Sequence, residues 1–136
     1  MREYKFRGRS VEPLVGDDQW LHGFGVHVVE LADGGSEYWL FTKGGAYQVD
    51  PETVGQYIGL PDRKERDIYE DDVVKVEDKY VGVVKFNEHD LSYVIEDNTG
   101  GYGFVNGQTY DEWPEYRTYE IVGNIHDNPE LMEDRK

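Results

Sequence analysis

Ile68-Tyr69-Glu70-Asp71-Asp72-Val73-Val74-Lys75-Val76 is a β-branched run behind a polar turn. Valines of this kind favour a pleated, half-buried surface, so Val73 to Val76 predicts a strand. Val81 to Phe86 predicts the next, and Asn87-Glu88-His89-Asp90 has turn chemistry. Leu91, Tyr93 and Ile95 alternate and mark a third strand. Residues 97–109 read as a Gly-rich loop around a short strand at Tyr102 to Val105. Arg117 to Ile125 is the last strand, with Tyr119, Ile121 and Ile125 on one face. Five short strands at this spacing predict a small closed or nearly closed barrel over 68–126.

Upstream, residues 62–67 (Asp-Arg-Lys-Glu-Arg-Asp) are six consecutive charges. A run of this kind is expected on the surface, as a connector between two β-rich halves. The earlier half opens with strict alternation over 3–9. Tyr4 and Phe6 are expected to face inward, and Glu3, Lys5, Arg7 and Arg9 to form a solvated strand face. Trp20 to Leu31 is a Val-rich strand interrupted by Gly23 and Gly25, which suggests a bulge or a close backbone approach. Asp33-Gly34-Gly35-Ser36 and Lys43-Gly44-Gly45 are turns, with strands at Glu37 to Thr42 and Ala46 to Val49. This half reads as an antiparallel meander. At Asp50-Pro51-Glu52 the period changes. Asp caps orphan amides and Pro fits the first helical position. Val54, Tyr57 and Ile58 then fall at helical spacing, and Gly59 and Pro61 stop a helix of about two turns.

The 136 residues carry a formal net charge of -15 and no Cys. Residues 1–10 hold four Lys/Arg against one Glu, so the remainder sums to -18. Such a surface repels phosphate backbones and anionic membranes, which disfavours direct nucleic-acid or membrane binding. The acidity reads first as a solubility device, and secondly as a face for a basic partner in place of DNA. The absence of Cys removes disulfides and thiolate chemistry and fits a reducing compartment. No apolar core marks the first ten residues as a secretory signal, so a cytoplasmic setting is expected.

No residues present a catalytic pattern. His22, His27, His89 and His126 lack metal-ligand spacing. Gly100-Gly101-Tyr102-Gly103 lacks the Lys-Ser/Thr and the helix that a phosphate cradle needs. Ser10, Ser36 and Ser92 are outside any nucleophile elbow. Adjacent acids such as Asp71-Asp72 arise by chance among 29 carboxylates. The expectation is therefore no catalytic, cofactor-binding or metal-binding residue and no cofactor. Candidate partner-binding residues are Trp113 and Tyr116, an aromatic pair after a polar loop, and the acidic turn Glu70, Asp71 and Asp72.

Three stretches together resemble the YopX family of phage and prophage proteins. They are 49–60 (Val-Asp-Pro-Glu-Thr-Val-Gly-Gln-Tyr-Ile-Gly-Leu), 67–74 (Asp-Ile-Tyr-Glu-Asp-Asp-Val-Val) and 120–131 (Glu-Ile-Val-Gly-Asn-Ile-His-Asp-Asn-Pro-Glu-Leu). The N-terminal Met-Arg-Glu-Tyr-Lys-Phe-Arg and the strand at 82–86 fit as well. Where the family usually reads Glu-Gly-Asp, this chain has Glu70-Asp71-Asp72. Gly permits positive φ more readily than Asp, so the turn is expected to differ slightly. The resemblance implies a β-rich fold with an SH3-like barrel and no assigned activity. The matched Asp50, Thr53, Gly59, Leu60, Asp72, Gly123, Asn124 and Pro129 read as caps, turns and helix stops.

The fold class expected is mainly β. An N-terminal antiparallel meander with one short helix (1–61) is packed with a C-terminal SH3-like barrel (68–126). The charged connector is 62–67, and the tail, 127–136, opens on a helical turn at Asn128-Pro129-Glu130. The function expected is that of a non-enzymatic phage accessory protein that binds a host or phage protein in the host cytoplasm. A self-assembling, homo-oligomeric structural protein and an acidic DNA mimic are the alternatives.

Overall fold

The computed structural model describes residues 4–76, 80–89, 91–97, 102–104 and 119–132. The chain divides into two compact units, 1–57 and 58–136. Among the described residues both are built mainly of antiparallel strands.

In the first unit, β1 (Phe6–Arg9), β2 (Trp20–Gly23), β3 (Gly25–Glu30), β4 (Ser36–Thr42) and β5 (Gly45–Val49) follow in order. β1 pairs β2, with Arg7 opposite His22 and Arg9 opposite Trp20. β3 pairs β4 and β4 pairs β5, with Leu40 between Val26 and Tyr47. Only Phe24 separates β2 from β3, and its amide donates to the Phe41 carbonyl at 2.9 Å. A Cβ on Gly23 would be driven into that same carbonyl, so only glycine lets the chain bend so close to β4. The β3–β4–β5 sheet is separate from the sheet that holds β1 and β2, and the two meet at their ends. Ser10 bridges Val49, the Asp50 amide donates to Arg9 O (2.9 Å), and the Val11 amide donates to Gln48 O (3.0 Å). Leu40 and Val49 lie fully buried.

The turn after β5 corrects the expected two-turn helix. Asp50 does cap, accepting from the Glu52 amide at 3.1 Å, and Pro51 does open the turn. The helical stretch is a single 3-10 turn, Pro51–Thr53. Gly55–Pro61 is strand β6, which places Gln56 opposite Phe6 and Gly55 opposite Arg7. Two helical turns would make few backbone hydrogen bonds for the cost of nucleation, and pairing with β1 satisfies the same groups in a ladder. Buried Thr53 latches the turn: its hydroxyl donates to Asp50 O (2.7 Å) and accepts from the Arg9 amide (2.9 Å).

The solvated basic row expected on the first strand is also corrected. Arg7 is 8% exposed, and Tyr4, ahead of the strand, is 62% exposed. The Phe6 side does face inward, since a Cβ on Gly8 would press on buried Val49. The Arg7 guanidinium carbon lies 4.7 Å from the Trp20 ring centroid, and Lys5 Nζ lies 4.9 Å from that of Tyr57. Aromatic faces and aliphatic stems thus make this basic row a partly buried surface.

The second unit begins within β6 and adds β7 (Asp67–Tyr69), β8 (Asp72–Val76), β9 (Tyr80–Asn87), β10 (Ser92–Glu96), β11 (Tyr102–Phe104) and β12 (Tyr119–Asn124). A five-stranded sheet runs β11-β10-β9-β8-β12, so the last strand pairs the strand that opens the series. The first unit follows the same scheme, because β6 returns to β1. Ile58, Ile68, Val74, Val76, Val84, Ile95 and Tyr119 form the core, flanked by Leu60, Tyr93 and Ile121. Val73, Val83 and Val94 are also buried, so the central strands are covered on both faces. Leu91 is 77% exposed in the turn and does not belong to β10. A bulge between Ile121 and Gly123 interrupts the β12–β8 register. A further 3-10 turn, Pro129–Met132, then folds back so closely that a Cβ on Gly123 would strike Asn128 and Leu131.

Candidate functional site

The acidic turn Glu70-Asp71-Asp72 joins β7 to β8, and its side chains are turned to separate tasks. Asp72 is buried and accepts from the Tyr69 amide at 2.8 Å. It closes the turn and presents no free oxygen to solvent chemistry. Asp71 stands at φ 73°, in the left-handed region. Its amide donates to Val84 O and its carbonyl accepts from the Ile125 amide. Its carboxylate receives Lys85 Nζ on Oδ1 at 3.1 Å and lies 3.0 Å from His126 Nε2 through Oδ2. One residue therefore ties together the β7–β8 turn, β9 and the turn after β12. Glu70 is half-buried.

The charged run at 62–67 lies in the second unit as the turn from β6 to β7. Its first residue overturns the expectation of a wholly surface run, because Asp62 is 1% exposed. Oδ1 accepts from the amides of Lys64 and Arg66, both at 2.9 Å. Oδ2 accepts from Arg66 Nη2 (2.8 Å), Arg66 Nε (3.1 Å) and the Ile121 amide (3.0 Å). Burial by itself would raise the Asp62 pKa. The Ile121, Arg66 and Lys64 amides and the Arg66 guanidinium outweigh it and hold the carboxyl below its ordinary value. Lys64 Nζ pairs with Glu120 at 3.1 Å and Arg63 lies 3.8 Å from it. The hydrogen bond and charge of Lys64 hold Glu120 below the ordinary carboxylate range. The cations of this run are thus directed to their own turn and to β12.

The first unit carries a different surface. Register places Trp39 between His27 and Gln48, and Phe41 between Gly25 and Ala46. Strand alternation turns this row away from buried Leu40 and Val49. Phe41 is 40% exposed and Phe24, at the β2–β3 bend, is 60% exposed. Trp39 is half-buried and its indole donates to Glu37 at 3.2 Å. Trp39 and Phe41 therefore share the outer face of the β3–β4–β5 sheet, and Phe24 is a separate exposed aromatic at the bend.

Sequence reasoning singled out Asp71 and Asp72 but not their roles, since His126 and Lys85 are remote in the chain. Trp113 and Tyr116 lie outside the described residues. The Trp39–Phe41 face was missed. Its signal was present in the alternation of Glu37 to Thr42, where both strand faces are apolar. Among the described residues, no three His, Asp or Glu side chains gather to hold a metal ion, and no helix is long and apolar enough to cross a membrane.

These features define a mainly β protein of curled antiparallel sheets. Residues 29–133 match the model of the YopX protein family, and the chain belongs to that family. It is similar to the crystal structure of the protein yopX from Bacillus subtilis, at 19% identity over 100% of both chains with a TM-score of 0.45. It is likewise similar to the crystal structure of a protein from Enterococcus faecalis, at 19% identity over 98% of this chain and 100% of that one, with a TM-score of 0.47. No curated protein matches.

Proposed function

We propose that this chain is a non-catalytic protein-binding module of phage origin acting in the bacterial cytoplasm. The observation that carries the reading is the solvent-reaching aromatics, Trp39 and Phe41 on one sheet face and Phe24 at the β2–β3 bend, on an otherwise strongly acidic chain. Aromatic side chains held on a rigid sheet are the usual anchors of protein interfaces. A non-catalytic role is supported by where the acids go: Asp62, Asp71 and Asp72 are spent on backbone amides and neighbouring side chains. The strand orders add support by analogy. In the first unit β6 pairs β1, and in the second the last strand, β12, pairs β8, which opens the β8–β9–β10–β11 meander, an arrangement like that of SH3-like barrels, many of which are interaction modules.

The test is affinity capture from bacterial lysate with the native protein and with Phe24→Ser/Phe41→Ser. A specific partner should be retained by the native chain and reduced roughly ten-fold by the double change, as for loss of interface anchors. No enrichment above background, or equal capture by both proteins, overturns the reading. Concentration-dependent assembly lost in the double variant would replace it with self-association.

A further inference from the structure

The segment between β1 and β2 is an ordered loop that holds apolar side chains in water. Its neck closes where the Ser10 amide donates to Gln19 O at 2.9 Å. Inside, the Gln19 side chain acts as a staple. Its Oε1 accepts from the Leu14 amide (2.7 Å), and its Nε2 donates to Leu14 O (3.2 Å) and Gly16 O (2.9 Å). Asp18 Oδ1 accepts from the Trp20 amide, and the Ser10 hydroxyl donates to Glu12 O. Gly16 adopts φ 93°, which turns the tip. On this frame Val15 is fully exposed and Val11 is half exposed, with Pro13 also at the surface. A compact loop braced by its own side chains resembles the Ω-loops that carry function. A loop ordered in this way around an apolar tip has already lost the conformational freedom that binding would otherwise cost.

The surrounding charge selects the partner. From Ser10 to Thr42 the chain holds six carboxylates (Glu12, Asp17, Asp18, Glu30, Asp33, Glu37) and no Lys or Arg. Three of them lie within the loop itself. The loop's own Glu12, Asp17 and Asp18 repel anionic lipid and nucleic acid and attract a basic surface, while Arg9 at the neck lies toward the Trp20 ring.

We infer that the 10–19 loop inserts Val11 and Val15 into an apolar socket bordered by Lys and Arg on a partner protein. The inference rests on the protein-binding reading above and assigns it a second contact surface. The carboxylates guide encounter and the valines supply the desolvated centre. An acidic face acting only as a DNA mimic would not need the valines.

The test places the photo-crosslinker benzoylphenylalanine in place of Val15 in the full chain, in bacterial cells, with Phe24 and Leu91 as comparison sites. Cross-linked peptides are mapped by mass spectrometry. The expected result is one protein, joined to the Val15 site through a segment of net positive charge that contains apolar residues. Yield in lysate should fall roughly ten-fold when salt is raised from about 0.1 to about 0.5 M. It should fall comparably in Glu12→Lys/Asp17→Lys. Cross-links to phospholipid, to an acidic surface or to a second copy of the chain overturn the inference, as does equal yield from Leu91. Cross-links from Phe24 but not Val15 overturn the loop assignment and leave the protein-binding reading standing. None from either site overturns both.

Discussion

Asp71 and His126, 55 residues apart, meet at 3.0 Å across the β7–β8 turn, and Asp71 makes this contact from a backbone φ of 73°. The position thus carries two opposed effects. A left-handed backbone disfavours any side chain, and the carboxylate recovers stability through Lys85 and His126.

Substitution separates these effects. Asp71→Ala loses both side-chain contacts and keeps the strained φ, and should cost about 2–3 kcal/mol. Asp71→Gly loses the same contacts and relieves the strain, so it should be about 1 kcal/mol more stable than the alanine variant. Urea unfolding of the two variants measures the difference. An alanine variant as stable as the glycine variant would show that the turn relaxes away from positive φ.

Asp62 sets a pH dependence. Its folded pKa lies below that of an ordinary carboxylate, so the folded state binds its proton less readily than the unfolded state. The resulting stability is fully present above the unfolded pKa and is lost as pH falls through the folded value. Native protein should therefore lose stability more steeply below about pH 4 than Asp62→Asn does. Asp62→Ala, which strands the Ile121 and Arg66 donors, should cost about 3 kcal/mol at neutral pH. Parallel pH profiles for native protein and Asp62→Asn would refute the assignment.

What the sequence conceals follows a pattern. Asp50 and Pro51 were legible because capping is local chemistry. Gly55 to Pro61 was not, since Tyr57 and Ile58 suit a helix face as well as a strand, and the deciding partner is Phe6 across the sheet. Alternation gave β1 its period and its inner side, but not the burial of its basic row, which Trp20 covers from the opposite strand. Asp62 looked like its five charged neighbours because its distant donor comes from Ile121. The apolar tip around Val15 is visible as Pro13-Leu14-Val15, but its rigidity depends on Gln19, whose staple no periodicity reveals.

Gly23 and Gly25 flank the same bend and should behave differently. A methyl at Gly23 meets the Phe41 backbone carbonyl, which cannot move without disturbing β4. Gly23→Ala should cost about 2–3 kcal/mol, in the range of overpacked sites. At Gly25 the nearest atom is the Phe41 ring at 3.8 Å, an ordinary contact. Gly25→Ala should change stability by about 0.5 kcal/mol or less. Thermal unfolding of the pair decides it; equal costs would mean that the bend, rather than the close approach, requires glycine.

Arg7 and Trp20 form the last test, since it asks whether a buried cation can be a packing residue. The guanidinium is flat and weakly hydrated, so it can lie against an indole at small desolvation cost. An ammonium is compact and strongly hydrated, so Arg7→Lys keeps the charge and loses the fit. A double-mutant cycle of Arg7→Lys with Trp20→Leu should give a coupling of about 1 kcal/mol. Arg9 lies 6.0 Å from the same ring and is less buried, so its coupling should be smaller. Equal couplings would indicate a general charge effect across β2. A coupling near zero for Arg7 would mean that its side chain is held by its other contacts, with Trp20 only a neighbour.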